Sequence, residues 1–410
     1  REVISVDKEK CVNCHRCIAV CPAKMCNDGS GSVVALNSNL CLGCGECIEA
    51  CTHGARKGID DSEAFFEDLA NDITILAIVA PAAATFEGAS ILQLNSYLAD
   101  LGVSAFFDVS FGAELTVKSY LEFKKKNDPE LIIAQPCPTL VSFIETYRPN
   151  LLKYLAPCDS PMAHTMKMIR RFYPQYKDHR IAVISPCYSK KREFDAIGLG
   201  DYNVTLKAIE KHIREKGVSL STLKPRHFDG VKAERAVLFS TPGGLKRTVE
   251  REVPGISSKV KRIEGQHSIY AYLAHLDIAI ANKEAPIYEI IDCLNCELGC
   301  NAGPGTNNRA RHPDAIEGAI EKRKEEALAY YASKGLVKSP KTAKKALDRE
   351  LSRYWEEGLY DRRYTDRSSV FKQTVRSPDR ESIEDIFHAM HKEKPQDVLN
   401  CGSCGYKSCE

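Results

Sequence analysis

The chain has 410 residues, a formal net charge of +2 and 18 cysteines. This length allows two to four domains with at least one large buried core. The near-neutral charge gives no indication of nucleic acid or an anionic membrane surface as a partner. The longest apolar run, residues 75–84, is far shorter than the roughly 20 residues that cross a bilayer. No cationic region followed by an apolar stretch is present, so secretion is not expected.

Most of the cysteines stand in Cys-x-x-Cys arrays, a spacing that favours metal clusters over a disulfide framework. Clusters need thiols that are kept reduced, so the sequence predicts a cytoplasmic protein. The chain begins at Arg1 without a methionine and stops at Glu410, directly after Cys409. We therefore expect it to be a fragment of a longer protein.

Residues 1–58 contain an internal repeat. Two cysteine runs with the same spacing lie thirty residues apart: Cys11, Cys14, Cys17 and Cys21, then Cys41, Cys44, Cys47 and Cys51. The repeat resembles the bacterial ferredoxin with two 4Fe-4S clusters, in which the fourth cysteine of each run ligates the other cluster. This resemblance implies one cluster on Cys11, Cys14, Cys17 and Cys51, and another on Cys41, Cys44, Cys47 and Cys21. Two zinc knuckles are the alternative, which such tight, duplicated spacing disfavours.

Residues 59–72 predict an amphipathic helix that links this module to the next, with Ser62 as its capping residue. From residue 73 onwards the pattern changes to alternating strands and helices. Buried, β-branched strands are predicted at 73–79, 105–109, 131–134, 181–185 and 236–239, and helices at 90–101, 113–126, 139–154, 161–172 and 204–216. This alternation predicts an α/β domain over residues 73–310 with twisted, mostly parallel sheets.

Two of the predicted strands end directly in cysteine motifs. Strand 131–134 leads to Cys137, and strand 181–185 leads to Cys187. In open α/β sheets the ligand site lies beyond the carboxyl ends of the strands. The two cysteines are therefore expected to share one site.

The C-terminal part of the chain has a different composition. Residues 311–395 are rich in Lys, Glu and Arg and predict a solvated, mostly helical connecting region that packs on the main domain. Residues 396–410 contain the start of another 4Fe-4S motif, with Cys401, Cys404 and Cys409 as ligands. Its fourth ligand is expected beyond residue 410.

Four scattered cysteines form the most specific pattern. Cys137 lies in Pro-Cys-Pro, Cys187 in Pro-Cys-x-x-Lys-Lys-x-Glu, and Cys296 and Cys300 in Cys-Glu-Leu-Gly-Cys-Asn-Ala-Gly-Pro-Gly. In this order the motifs resemble the catalytic domain of the di-iron hydrogenases, and the resemblance covers residues 1 to about 310. It implies a two-lobed domain whose cleft holds a 4Fe-4S cluster on the four cysteines. Cys300 would bridge this cluster to a di-iron unit with CO, cyanide and a dithiolate bridge.

The same resemblance implies roles for residues around the di-iron unit. Lys190 would donate a charge-assisted hydrogen bond to one iron-bound cyanide, while Ala80 and Pro81 would lie against the other. Ser160 matches the serine of the family's proton relay. The expected substrates are H2 and protons, the expected cofactors include three to four 4Fe-4S clusters, and maturation enzymes would supply the di-iron unit. The alternative for Lys190 is an ordinary surface cation.

Several positions depart from the family's pattern. Pro136 stands where fast members have a cysteine as the first proton carrier, and proline has no titratable group. Tyr120 and Phe123 stand where a glutamate pair continues that route. Ser185 and Leu294 replace two methionines that touch the di-iron unit. These differences predict a pocket that binds H2 but turns it over slowly.

Three further thiols have no assigned cluster. Cys26 has no counterpart in the second ferredoxin run and is expected to be a packing thiol. Cys158 and Cys293 are expected to be buried packing thiols, with substitution for the missing proton carrier as the alternative.

Slow turnover together with an extra C-terminal cluster resembles the sensory subgroup of these hydrogenases. A redox partner or a downstream signalling domain is then the expected partner. Two other interpretations remain open: a non-enzymatic, hydrogenase-like iron-sulfur scaffold without a di-iron unit, and an electron-transfer subunit that works on another small substrate.

Overall fold

The computed structural model describes residues 1–88, 90–334, 340–375, 378–406 and 408–409. The strands are β1 Ile4–Val6, β2 Asn27–Asp28, β3 Ala35–Leu36, β4 Arg56–Gly58, β5 Ile75–Val79, β6 Ala105–Asp108, β7 Ile132–Ile133, β8 Arg180–Ser185, β9 Tyr202–Thr205, β10 Val260–Glu264 and β11 Ile290–Leu294. The helices are α1 Arg16–Ala19, α2 Glu46–Glu49, α3 Ser62–Ala70, α4 Ile91–Asp100, α5 Val109–Asn127, α6 Pro138–Tyr147, α7 Pro161–Phe172, α8 Lys190–Ile197, α9 Leu206–Lys216, α10 Gly244–Glu252, α11 Gln266–Ala281, α12 Pro313–Ser333, α13 Pro340–Arg353, α14 Ser368–Thr374 and α15 Arg380–Ala389. None of these described helices is long and apolar enough to cross a membrane.

The N-terminal module is a small α+β unit with two similar halves. β1 pairs with β4 and β2 pairs with β3, both antiparallel. Each cysteine run leads into a four-residue helix, α1 or α2, that carries the third cysteine of its run. The residue before α2 is Gly45, whose φ of 84° is left-handed and favours glycine.

The linker helix α3 begins at Ser62, and its N-cap is Asp61, so the prediction of Ser62 as the capping residue is wrong by one position. The two acids before the helix bind the neighbouring strand instead. Asp61 accepts a hydrogen bond from the backbone N–H of Asn203 at 2.9 Å, and Asp60 accepts one from that of Thr205 at 3.3 Å. These bonds attach the linker to β9.

A four-stranded parallel sheet forms the first lobe, in the order β6-β5-β8-β9. Successive side chains of its central strands belong to two different apolar clusters: Leu76 and Ile78 to one, Ile75 and Ala77 to the other. Both faces of the sheet are therefore covered. This explains why these strands appear in the sequence as continuous apolar runs.

A three-stranded parallel sheet, in the order β10-β11-β7, forms the second lobe. The sequence did not predict β9, β10 or β11. The predicted strand at 236–239 is wrong, because Ala236–Leu238 is a short 3-10 helix. The buried Glu114 carboxylate accepts the backbone N–H groups of residues 234, 235 and 236, so these donors are not available to a sheet.

The C-terminal helices α12 and α13 contribute to the core of the first lobe. Tyr331, Leu347 and Leu351 are buried in the same apolar cluster as Phe111 and Met166. The charged residues of this region thus belong to one side of each helix. The other side is apolar and covers the sheet, where it shields the sheet from solvent. The region is a structural part of the lobe as well as a connection.

Candidate metal centre and its pocket

A pocket lies at the carboxyl ends of β5, β8, β7 and β11, where the two lobes meet. Its wall is largely apolar and includes Ala80, Pro81, Ala82, Val109, Pro136, Pro138, Pro161, Met162, Phe239 and Leu294. Five cysteines also line it: Cys44, Cys137, Cys187, Cys296 and Cys300. Among the described residues, Lys190 is the only charged side chain in this lining. An apolar pocket with several thiols and one cation suits a thiolate-bound metal group that carries negative charge.

The four scattered cysteines meet here, as the strand-end argument predicts. Burial, and after it the neighbouring thiolates, raise the pKa of Cys187 to about 11 and that of Cys296 to about 12. Burial and the neighbouring thiolates also raise the pKa of Cys300 well above its usual value. Four thiolates so close together are stable only when a bound cation offsets their charge. The donor set therefore fits a 4Fe-4S cluster.

The glycines after Cys300 allow the last cysteine loop to approach the second. The backbone N–H of Gly305 donates to the carbonyl of Pro186 at 2.9 Å. A Cβ atom at Gly305 would lie 2.8 Å from the Pro186 carbonyl carbon, and one at Gly303 would overlap the Pro186 oxygen. Only glycine fits at these two positions, which explains the Gly-Pro-Gly sequence beside Cys187.

Lys190 is 6% exposed and lies at the start of α8, three residues after Cys187. Its Nζ atom donates to the carbonyl of Pro136 at 2.9 Å, to Ser160 Oγ at 3.2 Å and to Glu193 Oε2 at 2.7 Å. The structure therefore excludes the alternative of a surface cation. Glu193 is the last residue of the Pro-Cys-x-x-Lys-Lys-x-Glu motif, but the motif alone suggested no role for it. Its spacing of three residues from Lys190 on a helix was the available signal.

The other predicted pocket residues divide into two groups. Ala80, Pro81 and Pro136 line the pocket. Ser160 lies one layer behind, where its hydroxyl caps α7 and accepts from Lys190. Ser185 is fully buried outside the lining, and its hydroxyl donates to Asn203 Oδ1 at 2.6 Å. Ser185 therefore does not take the place of the methionine that it replaces in the sequence.

Met162 and Phe239 also line the pocket, although the sequence motifs did not identify them. Met162 follows the Ser160-Pro161 start of α7, so its position beside a relay serine was the available signal. Phe239 was assigned to a strand, and the folding of that segment as a 3-10 helix brings its ring to the wall.

The positions of the missing glutamate pair hold no carboxylate. Tyr120 is fully buried, and its hydroxyl donates to Gln135. Glu122, the adjacent acid, has a side chain that is 52% exposed and pairs with Lys118 at 3.7 Å. Neither spare thiol reaches the pocket: Cys158 borders a separate cavity with Glu122, and Cys293 Sγ donates to a backbone carbonyl at 3.4 Å.

The ferredoxin cysteines gather in two groups. Cys11, Cys14, Cys17 and Cys51 line one small cavity. Burial raises the pKa of Cys44, and the nearby thiolates of Cys21, Cys47 and Cys41 raise it further. The fourth cysteine of each run thus lies beside the other run, the arrangement that the crossed assignment expects. Within the described part of the chain, no three Cys, His, Asp or Glu side chains are close enough to hold a single metal ion.

Replacing Cys21 with serine is expected to damage the cluster assigned to Cys41, Cys44 and Cys47, and to leave the other ferredoxin cluster intact. The serine hydroxyl is a poor substitute for a soft thiolate ligand. Electron paramagnetic resonance of the reconstituted protein reports each cluster. The matched control is Cys26→Ser, because Cys26 is buried with its Sγ 3.6 Å from that of Cys21. Loss of the cluster at Cys11, Cys14 and Cys17 in the Cys21 variant would contradict the assignment.

Two contacts link the cysteine groups to each other. Cys44 of the ferredoxin module lines the same pocket as Cys137 and Cys187. At the other end, Lys24 Nζ donates to the carbonyl of Gly405 at 2.7 Å, next to the C-terminal cysteine motif. The ferredoxin module therefore lies between the pocket and the motif of Cys401, Cys404 and Cys409.

Comparison with known proteins gives a consistent result. Residues 73–304 match the family described as iron only hydrogenase large subunit, C-terminal domain, and residues 3–52 match the 4Fe-4S dicluster domain. Iron hydrogenase 1 of Clostridium pasteurianum is 22% identical over 257 residues, which are 52% of this chain and 45% of that protein. The periplasmic Fe hydrogenase large subunit of Nitratidesulfovibrio vulgaris is 25% identical over 284 residues, 60% of this chain and 67% of that protein. The match therefore spans about half of the clostridial relative's length.

Solved structures of FeFe-hydrogenases share the fold. One, concerned with oxygen damage to the 2Fe subcluster of the H cluster, has a TM-score of 0.55 at 16% identity and covers 75% of this chain and 99% of that chain. A variant of the FeFe-hydrogenase HydA1 from Chlamydomonas reinhardtii has a TM-score of 0.53 at 17% identity with the same coverage. Since the family match extends over more than half of the chain and includes Cys137, Cys187, Cys296 and Cys300, this chain belongs to the iron-only hydrogenase family.

Proposed function

We propose that this chain is a sensory-type di-iron hydrogenase domain that catalyses reversible H2 oxidation and proton reduction at a low rate. The convergence of four cysteines and Lys190 in one apolar pocket carries the proposal. Cys137, Cys187, Cys296 and Cys300 would hold a 4Fe-4S cluster, and Cys300 would also hold the di-iron unit with its CO, cyanide and dithiolate ligands. Maturation enzymes insert this unit. The chain holds three to four 4Fe-4S clusters in all and works in the cytoplasm, where thiols stay reduced.

The residues of the pocket prepare it for that cofactor. The di-iron unit, when bound, supplies the redox chemistry for H2. Lys190 holds one cyanide by a charge-assisted hydrogen bond, and Ala80 and Pro81 lie against the other. Met162 and Phe239 complete an apolar wall that excludes water, which strengthens the attraction between Lys190 and an anionic ligand.

Proton supply limits the rate in this proposal. Pro136 lines the pocket at the place of the first carrier and has no titratable group. Behind it, burial raises the pKa of Tyr120 well above its usual value, so this hydroxyl stays protonated at neutral pH. A proton carrier works best when its pKa is near the operating pH. The pocket therefore retains its ligands for the cofactor but lacks an efficient route for protons.

Electrons pass through the clusters in this proposal. Cys44 lines the pocket, so the cluster that it would hold would lie next to the group held by the pocket cysteines and would supply electrons to it. The C-terminal motif of Cys401, Cys404 and Cys409 holds a further cluster, and its neighbour Tyr406 packs against the ferredoxin core. This cluster connects the ferredoxin module to a redox partner or to a signalling domain that reads H2 or redox state.

A non-enzymatic iron-sulfur scaffold is the second candidate. One observation favours it: an ammonium group has three N–H donors, and those of Lys190 already have three protein acceptors. A cyanide ligand has to displace one of them. In this second function the pocket holds a 4Fe-4S cluster alone.

Infrared spectroscopy after reconstitution with iron and sulfide and incubation with a synthetic di-iron complex separates the two candidates. Bands of iron-bound CO and cyanide that stay with the protein through gel filtration, together with slow H2 oxidation, support the hydrogenase. A complete set of 4Fe-4S clusters without those bands supports the scaffold.

Replacing Lys190 with methionine, which keeps the length of the side chain, is expected to cause loss of the di-iron unit with normal 4Fe-4S clusters. An anionic ligand would lose a charge-assisted hydrogen bond in a dry pocket, a loss of about 1–3 kcal/mol. Retention of cyanide bands after gel filtration measures the effect. Lys191→Met is the matched control, since Lys191 is also buried but donates to the carbonyls of Gly200 and Asp201. Cyanide bands of equal intensity in both variants would contradict the role of Lys190.

A further inference from the structure

Glu193 is shared by two buried cations. Its Oε2 atom accepts from Lys190 Nζ at 2.7 Å, and its Oε1 atom accepts from an Arg362 guanidinium nitrogen at 2.8 Å. The Glu193 and Arg362 side chains are 4% and 15% exposed, so the pair is shielded from solvent. Burial raises the pKa of Glu193, but the two cations outweigh burial and hold this pKa below its usual value. Glu193 is therefore a carboxylate, and the three groups together carry one positive charge.

Arg362 comes from a part of the chain outside the family match at residues 73–304. A short antiparallel bridge between Cys158 and Asp361 fixes its position. The backbone N–H of Arg362 donates to the carbonyl of Pro157 at 3.2 Å, and the Tyr364 hydroxyl donates to the carbonyl of Cys158 at 2.9 Å. The C-terminal segment is thus held in register beside the loop that precedes Ser160.

The way in which Glu193 shares its two carboxylate oxygens between Lys190 and Arg362 decides how strongly it holds the Lys190 ammonium group. A carboxylate bound to Lys190 alone would hold the ammonium strongly, because a charge-assisted hydrogen bond in a dry site is strong. Arg362 takes one oxygen of that carboxylate and restores a net positive charge behind the pocket. Lys190 can then donate one of its N–H groups to an anionic ligand at a smaller cost in free energy. Its longest protein bond, at 3.2 Å to the neutral Ser160 hydroxyl, is the one most easily exchanged.

We propose that Arg362 is a positioning residue for the pocket lysine: it engages Glu193 so that Lys190 remains free to bind the anionic ligand of the cofactor. The inference rests on the proposed function, since it concerns the same cofactor. It adds that a residue of the C-terminal region controls the anion affinity of the pocket. A movement of that region would therefore reach Lys190 through the ion pair between Arg362 and Glu193.

The test uses the whole chain with its 4Fe-4S clusters reconstituted, incubated with a synthetic di-iron complex below saturation. Arg362→Gln is expected to lower the amount of complex retained about tenfold, the effect of losing one charge-assisted interaction. It is also expected to shift the infrared band of the cyanide at Lys190. Arg362→Lys, which keeps the charge, should restore most of the uptake. Arg363→Gln is the matched control, because Arg363 is the exposed next residue.

Glu193→Gln provides a second, independent variant in case loss of Arg362 impairs folding. Since Arg362 acts through Glu193, adding Arg362→Gln to Glu193→Gln should not change the cyanide band further. Equal retention and equal bands for Arg362→Gln, Arg363→Gln and the unchanged protein would overturn the inference, as would a full additional shift in the double variant. If the unchanged protein retains no di-iron complex, the proposed function fails, and this outcome is distinct from failure of the inference alone.

Discussion

Replacing Cys187 with serine is expected to remove the pocket cluster and all H2 chemistry while both ferredoxin clusters persist. Cys187 is one of the four thiols assigned to the pocket cluster, and none of these four is assigned to a ferredoxin cluster. A hard serine oxygen does not replace a soft thiolate on iron bound with sulfide. Burial raises the pKa values of Cys296 and Cys300, so these two thiols become protonated when the cluster is lost.

Iron content per chain and paramagnetic resonance of the reduced protein measure this loss. The matched control is Cys293→Ser, because Cys293 is 1% exposed on β11 and stands outside the pocket lining. The control should keep its full iron content and its H2 oxidation after maturation. A Cys187 variant with the iron content and signals of the unchanged protein would show that Cys187 is not a ligand.

Replacing Pro136 with cysteine is expected to raise turnover after maturation. The new thiol would stand in the pocket lining beside the cofactor, where it adds a group that can accept and release a proton. A positioned proton carrier contributes roughly 100- to 10,000-fold in rate. We expect the low end of this range, because Tyr120 and Phe123 still interrupt the outer route. The gain should be larger in the direction that protonation limits.

Initial rates of H2 oxidation and of H2 formation, each measured across pH, test this expectation. Pro136→Ala is the matched control, since it relaxes the loop before Cys137 without adding a titratable group. The carbonyl of residue 136 that accepts from Lys190 is present in both variants. Turnover in the cysteine variant that equals that of the alanine variant in both directions would show that another group already relays protons.

The sequence predicted the elements whose signal is local. The central strands of the first sheet and the helices α4, α5, α7 and α9 have the expected positions within a few residues, whereas α6 ends earlier than predicted and α8 was not predicted. The failures have a common cause in tertiary contacts. Residues 236–239 have the composition of a strand, but the carboxylate of Glu114, more than a hundred residues away, accepts the N–H groups of residues 234, 235 and 236 where this segment begins. No pattern within a short window reports such a contact.

The metal-binding part of the site was determined by the sequence itself. The cysteine motifs name the expected ligands through their resemblance to the di-iron hydrogenases, and a strand end delivers its cysteine to a known edge of a sheet. The surroundings of the ligands depend on the tertiary structure. Packing between distant segments sets the hydrogen bonds of these surroundings. It decides the partners of Lys190 and of Ser185, and it brings Arg362 to Glu193. The cysteine motifs indicate which residues are the ligands. The charge and the shape of the pocket around them depend on many neighbouring residues, which only folding brings together.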